Sequence, residues 1–144
     1  MAGRVAEYSA QTVLDGLYLF SNSSLGQQLT ISDFCADFIN ALSCGKIFIE
    51  YSDHDHKPIG CMTWCFLTDE QADLMTTEGY TPTLEDYTRN AGDQLWMFWT
   101  IALQENGRSL AYKVKKLFNE MYGRKKVYWV RDTDFHTRIH RGHS

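Results

Sequence analysis

The sequence predicts an α+β domain built on a mixed β-sheet. Helical apolar spacing runs through the first 45 residues, the period switches to two at Lys46, and a strand–helix–strand unit closes the chain. Antiparallel pairing therefore comes first and a crossover to a parallel partner last.

The first 20 residues read as a helix with Val5, Tyr8, Val13, Leu17 and Leu19 as its apolar stripe, and it stops in the polar loop Ser21–Ser24. A second helix starts near Thr30 or Ser32, either of which can cap it, and Gly45 suits its C′ position. Its residues Phe34, Cys35, Phe38, Ile39 and Leu42 share one face. "KIFIEYS" (46–52) and "IGCMTWCFLT" (59–68) then form a hairpin around the polar tip "DHDHKP". Thr68 caps a short acidic helix, "DEQADLM", and "TPTLEDYTRNAGD" reads as a loop. The strand from Leu95 to Leu103 is apolar on both faces, which places it in the middle of the sheet. Leu110, Val114, Leu117, Phe118 and Met121 give the helix Ser109–Met121 an apolar stripe, Gly123 ends it, and "KKVYWVRD" is the last strand. The order is ααββ(α)βαβ. A single domain over 1–132 and a flexible tail without period over 133–144 are expected.

An apolar share of 44% excludes a disordered chain, and no run of about 18 apolar residues marks a membrane span. The first residues lack the apolar core of a signal peptide, so the cytosol is the expected compartment. The four cysteines form no Cys-x-x-Cys pair and read as reduced core residues, with Cys61 and Cys65 the candidates for a catalytic thiol. No metal site is expected, because His54 and His56 alternate with aspartates at a charged hairpin tip. The net charge of −4 argues against nucleic-acid binding, but it is divided unevenly. Residues 1–107 carry 4 Lys+Arg against 15 Asp+Glu, and residues 108–144 carry 10 against 3. The switch falls where a helix begins behind Gly107, and unpaired N–H groups at a helix start bind phosphate oxygens. Arg108, Lys113, Lys115, Lys116, Arg124, Lys125 and Lys126 are expected to surround that phosphate cradle.

Gln104-Glu105-Asn106-Gly107-Arg108-Ser109 resembles the Q/R-x-x-G-x-G/A pyrophosphate loop of the GNAT acyltransferase superfamily, with Ser at the last small position. The element order is also similar to a GNAT core, in which the strand before this loop binds the pantetheine arm and the next strand splays away. The chain resembles the toxin-activating lysine acyltransferases more closely, over about residues 14–132. The shared features are Ser23-Ser24-Leu25 after the first helix, Cys61 to Trp64 on the hairpin, and the Gly92-Asp93-x-x-Trp96 lead-in to the central strand. Ile101, Ala102, Asn106 and Gly107 match the family's strand exit.

The resemblance implies a GNAT-like fold and an acyl-thioester donor, acetyl-CoA, another acyl-CoA or an acyl-carrier protein, held by Ile101, Ala102, Leu103, Gln104, Asn106, Gly107, Arg108 and Ser109. It implies an amine of a protein or small molecule as acceptor, and a homodimer. It also exposes a departure: the family's catalytic His falls on Gly26 and its catalytic Asp on Trp99. Neither glycine nor an indole accepts a proton from an amine. Ser23 matches a family serine, and Tyr112, Tyr128 and Glu50 are the substitutes for the missing pair, although a solvent-facing strand position is the plainer account of Glu50. Trp99 would narrow the cleft and select a small acyl group, or block turnover. The alternative is a catalytically inactive relative that binds a partner protein, as a bacteriophage protein directed at a host enzyme in the host cytoplasm would.

Overall fold

Strand pairing follows chain order in the computed structural model, which describes residues 3–24, 26–77, 81–89, 92–104, 106–132 and 137–143. β1 (Gly3–Val5), β2 (Ile47–Tyr51), β3 (Pro58–Leu67), β4 (Gln94–Ala102), β5 (Lys126–Asp132) and β6 (Thr137–His143) lie side by side in one six-stranded sheet. Among the described strands only β4 and β5 pair in parallel. Their pairing covers Leu95–Met97 against Val127–Trp129 and then stops. The sheet is mixed, as the period changes predicted, with β3 and β4 at its centre.

Helices cover both faces. On one side lie α1 (Ala10–Ser21) and a continuous helical run made of α2 (Ile31–Phe34), a π-helical turn (Cys35–Ile39) and α3 (Asn40–Ser43). This face buries Leu19, Phe20, Phe34, Phe38, Ile47, Ile49, Cys61 and Ile101. Beside it, α4 (Asp69–Thr77) and α5 (Leu84–Arg89) close a smaller cluster around Cys65, Tyr87 and Trp96. On the other side α6 (Gly107–Tyr122) lays Leu110, Val114 and Phe118 onto Phe48, Met62, Trp64, Leu95 and Met97. These three α6 residues are the i, i+4, i+8 positions of the predicted stripe, whereas Met121 is exposed.

Four expectations change. The chain opens with β1 before α1, and α1 buries Thr12, Asp15, Gly16, Leu19 and Phe20 while Tyr8 and Leu17 are exposed. A capping box in which Ser9 and Thr12 satisfy each other's backbone N–H fixes the helix start there. The stretch read as a loop contains α5, started by the reciprocal pair Thr83 and Asp86. Cys35 is exposed, so the cysteines are not all core residues. Residues Thr137–His143, expected to lack periodic structure, form β6 against β5.

Phe38 is the pivot of the α1–α3 face. It is fully buried, stacks on Phe34 at 5.0 Å and meets Phe20 edge-on at 5.7 Å. Phe38→Ala is expected to cost about 3–5 kcal/mol by leaving a cavity among these rings, read as a lower urea midpoint at unchanged m-value.

Candidate active site

The cradle begins where β4 ends. Leu103 N–H donates to Ile59 O at 2.7 Å, and Gln104 turns the chain through the left-handed region at φ 56°. Asn106 is the N-cap of α6 but makes no capping bond, and its Nδ2 is buried without an acceptor among the described residues. Gly107 does not need a glycine's conformational freedom. Its φ is ordinary, and a Cβ there would meet only Ala102 Cβ at 3.9 Å. Ile101 points into the core, Ala102 and Leu103 are half-buried, and Gln104 and Arg108 are exposed.

Glu50 was read as solvent-facing, and this is overturned: it is 2% exposed beneath the start of α6. Cross-strand neighbours explain this. Glu50 is in register with Gly60, and Gly60 with Ala102, so two small residues leave room for a carboxylate under the helix. Lys113 Nζ and Ser109 Oγ donate to Glu50 Oε1 at 2.7 and 3.2 Å, while Oε2 is buried without a donor among the described residues. Glu50 thus anchors α6, and the charge of Lys113 is taken up within the fold. Nor do the other cations ring the cradle. Arg124, Lys125 and Lys126 follow the far end of α6, about 24 Å away for 16 residues. Lys115, Lys125 and Lys126 lie over the rings of Trp129, Phe66 and Tyr128. Arg108 is exposed in the first turn of α6.

The two positions where the resemblance would put the family's pair, residues 26 and 99, are both filled. Gly26 N–H donates to Ser23 Oγ at 2.9 Å, and Ser23 Oγ donates to Phe20 O. A Cβ on Gly26 would lie 2.1 Å from Phe20 O and 2.6 Å from Phe20 Cα. Backbone occupies the space a His side chain would need, so Ser23 here is a loop-closing residue. Trp99 lies in a β-bulge of β4. Met62 pairs with Thr100 and Trp64 with Met97, leaving Phe98 and Trp99 opposite Thr63. Trp99 N–H donates to Thr63 Oγ1 at 3.0 Å, and its ring meets Phe20 at 5.9 Å.

Sequence reasoning missed one neighbour of this bulge. Asp37, in the π-helical turn, is 8% exposed. Burial pushes the Asp37 carboxyl up to about 6; the Trp99 side chain opposes that rise, and Asp33 adds to it. Tyr87, fully buried on α5, lies within electrostatic reach of Asp37. An aspartate beside Phe38 within a helix gives no periodic signal, so only the π-turn reveals that it faces the sheet.

Tyr112 stands on the outer side of α6, 70% exposed. Tyr128 stacks on Trp96 at 5.2 Å. Burial raises the thiols of Cys61 and Cys65 to about 12, which disfavours a thiolate at either.

A family model of the RTX toxin acyltransferases (HlyC) matches residues 9–141. The chain belongs to this family. Solved structures share its fold. The loading GNATL domain of CurA from Lyngbya majuscula aligns with a TM-score of 0.57 at 14% identity, over 89% of this chain and 64% of that one. The chain thus spans just under two thirds of that domain. A mosquito arylalkylamine N-acetyltransferase like 5b aligns with a TM-score of 0.61 at 13% identity, over 92% of this chain and 77% of that one. Comparison with curated protein sequences gives no match. The fold is that of GNAT acyltransferases, and the family is one of acyltransferases.

Two stability measurements test this geometry. Lys113→Met is expected to cost about 1–3 kcal/mol, because it leaves the buried Glu50 carboxylate short of its cation. Lys116→Met, on the exposed face of α6, should change stability by less than about 0.5 kcal/mol. For Asp37 the native state binds its proton more tightly than the unfolded chain. The stabilisation is complete below pH 3.8 and is lost as pH rises through about 6, a swing of about 3 kcal/mol. Asp37→Asn should therefore remove that fall from the pH dependence of urea unfolding.

Proposed function

We propose that this protein is an acyltransferase that takes an acyl group from a phosphopantetheine thioester, acyl-CoA or acyl-carrier protein, and passes it to an amine. The observation that carries the reading is the start of α6: a helix N-terminus with no side-chain cap, beside a glycine the fold does not require and a buried amide donor without an acceptor. Phosphate oxygens suit those N–H groups, Arg108 supplies countercharge, and Asn106 Nδ2 suits a carbonyl or phosphate oxygen of the arm. The arm would run along Ile101, Ala102 and Leu103, where β4 and β5 have parted. Trp99 packed on Phe20 fills the space behind β4, which favours a short acyl chain.

Gly26 and Trp99 also support a second reading. With backbone where the family His would stand, the chain cannot use the family's proton transfer. A catalytically inactive relative that binds a partner protein, a bacteriophage protein acting on a host enzyme for instance, would share this fold.

Thermal shift separates the two. Acetyl-CoA, octanoyl-CoA and octanoyl-carrier protein are compared with buffer. A donor at a hundredfold excess over its Kd adds about 2.7 kcal/mol, several degrees in Tm for a chain of this size. Gly107→Ala should leave the unliganded Tm within about 2 °C, because the new Cβ meets ordinary contact distances, and should cut the donor shift. Gly107→Glu should abolish it by adding a carboxylate. No shift with any donor leaves the partner-binding reading ahead.

A further inference from the structure

β3 crosses the middle of the sheet with alternate residues on its two faces. Toward the α1–α5 layer it presents Cys61, Thr63, Cys65 and Leu67, each with 0% exposure. Thr63 is paired there with Ile47, whose side chain lies in the same core layer. It is the polar member of the row. A hydroxyl buried among hydrocarbon and sulfur costs free energy unless it is hydrogen-bonded, and a valine would fill the same space without that cost.

The hydroxyl is bonded to the bulge. Met62 pairs with Thr100 and Trp64 with Met97, so Phe98 and Trp99 both stand opposite Thr63. A bulge takes its extra residue out of the backbone ladder. The Trp99 N–H finds a side-chain acceptor instead, donating to Thr63 Oγ1 at 3.0 Å. Both bulge residues then face the helical layer, Phe98 against the cluster around Trp96 and Trp99 onto Phe20 at 5.9 Å. This bond lies where β4 leaves β5. Met97, opposite Trp129, is the last residue of their register and directly precedes the bulge. Deprived of the hydroxyl, the Trp99 N–H would regain an acceptor only by returning to the ladder. That one-residue slip turns the following side chains to the opposite face.

We propose that Thr63 is a positioning residue for the acyl donor: its hydroxyl holds the β4 bulge, and the bulge keeps β4 apart from β5 where the phosphopantetheine arm enters. The inference rests on the acyl-transfer reading above and adds to it a residue of β3 that acts through Trp99 without touching the donor. A slot that holds the arm alike before and during the reaction acts on KM and leaves kcat in place.

The test compares Thr63→Val, Thr63→Cys and Thr63→Ser. Valine keeps the shape and has no acceptor, whereas serine keeps the hydroxyl. Cysteine offers a weak acceptor, and thiols already occupy this row at Cys61 and Cys65, so Thr63→Cys carries the test if Thr63→Val does not fold. Kd for acetyl-CoA and for octanoyl-carrier protein is measured by calorimetric titration. Release of free thiol with Nα-acetyl-lysine amide as acceptor gives kcat and KM, and amide-resolved NMR in deuterated water gives the exchange rate of the Trp99 N–H. Thr63→Val and Thr63→Cys should raise donor Kd and KM about tenfold or more and keep kcat within about threefold. Their Trp99 amide should lose its protection from exchange. Thr63→Ser should return all of these to within about threefold of wild type. A structural role alone would lower Tm without moving donor KM. The inference is overturned if Thr63→Val, or Thr63→Cys in its place, binds donor within about threefold of wild type. It is equally overturned if Thr63→Ser is as impaired as Thr63→Val, or if the Trp99 amide stays protected without the hydroxyl. In those cases acyl transfer by the wild type still stands. A wild type that neither binds nor turns over either donor overturns the acyl-transfer reading, and the inference with it.

Discussion

The bulge that sets Phe98 and Trp99 opposite Thr63 is the constraint on which the site depends. In an unbroken strand Trp96 and Ile101, five residues apart, would face opposite sides of the sheet. The extra residue resets the alternation, so Trp96 and Ile101 both pack under the α1–α5 layer while Met97 and Ala102 both face α6. The bulge also follows directly on Met97, the last residue of β4 paired with β5. Local twist increases at a bulge, and here the two parallel strands part. One inserted residue therefore links the two-sided core, the opening between β4 and β5, and the aim of Trp99.

Electrostatics divides the charges into those that hold the fold and those left over. Glu50 and Lys113 neutralise each other beneath α6, with Ser109 supplying a second donor. An ion pair of this kind adds little net stability over apolar packing, but removing one partner costs about 1–3 kcal/mol, which fixes the helix start over the sheet. Asp37 has the opposite character. Its ionised form costs the native state free energy at neutral pH, and the Trp99 side chain offsets only part of that.

Much of the frame was legible in the sequence because it is periodic. Leu110, Val114 and Phe118 announce α6, the alternation after Lys46 announces the hairpin, and the apolar run after Leu95 announces a central strand. The start of α6 at Gly107 was legible as well. What escaped is aperiodic or depends on neighbours across the sheet. Glu50 looked exposed by alternation with Ile49, yet both faces of β2 are covered, one by α1–α3 and the other by α6. Gly26 gave no steric signal, since the closeness of Phe20's backbone exists only in the folded loop. The seven cations after Gly107 merged in sequence into one basic patch, although a helix of 16 residues carries Arg124–Lys126 far from its start.

The crowding at residue 26 and the indole at residue 99 are one structural fact seen from two sides. A histidine at residue 26 needs the space that the Phe20 backbone and Ser23 occupy, and those atoms position Phe20 against Trp99. A short aspartate at residue 99 could not span to Phe20; an indole does. Substituting either residue singly would break that contact: His at residue 26 would displace Phe20, and Asp at residue 99 would leave Phe20 without its ring partner. The packing of one tryptophan on one phenylalanine thus ties the loop after α1 to the bulge of β4.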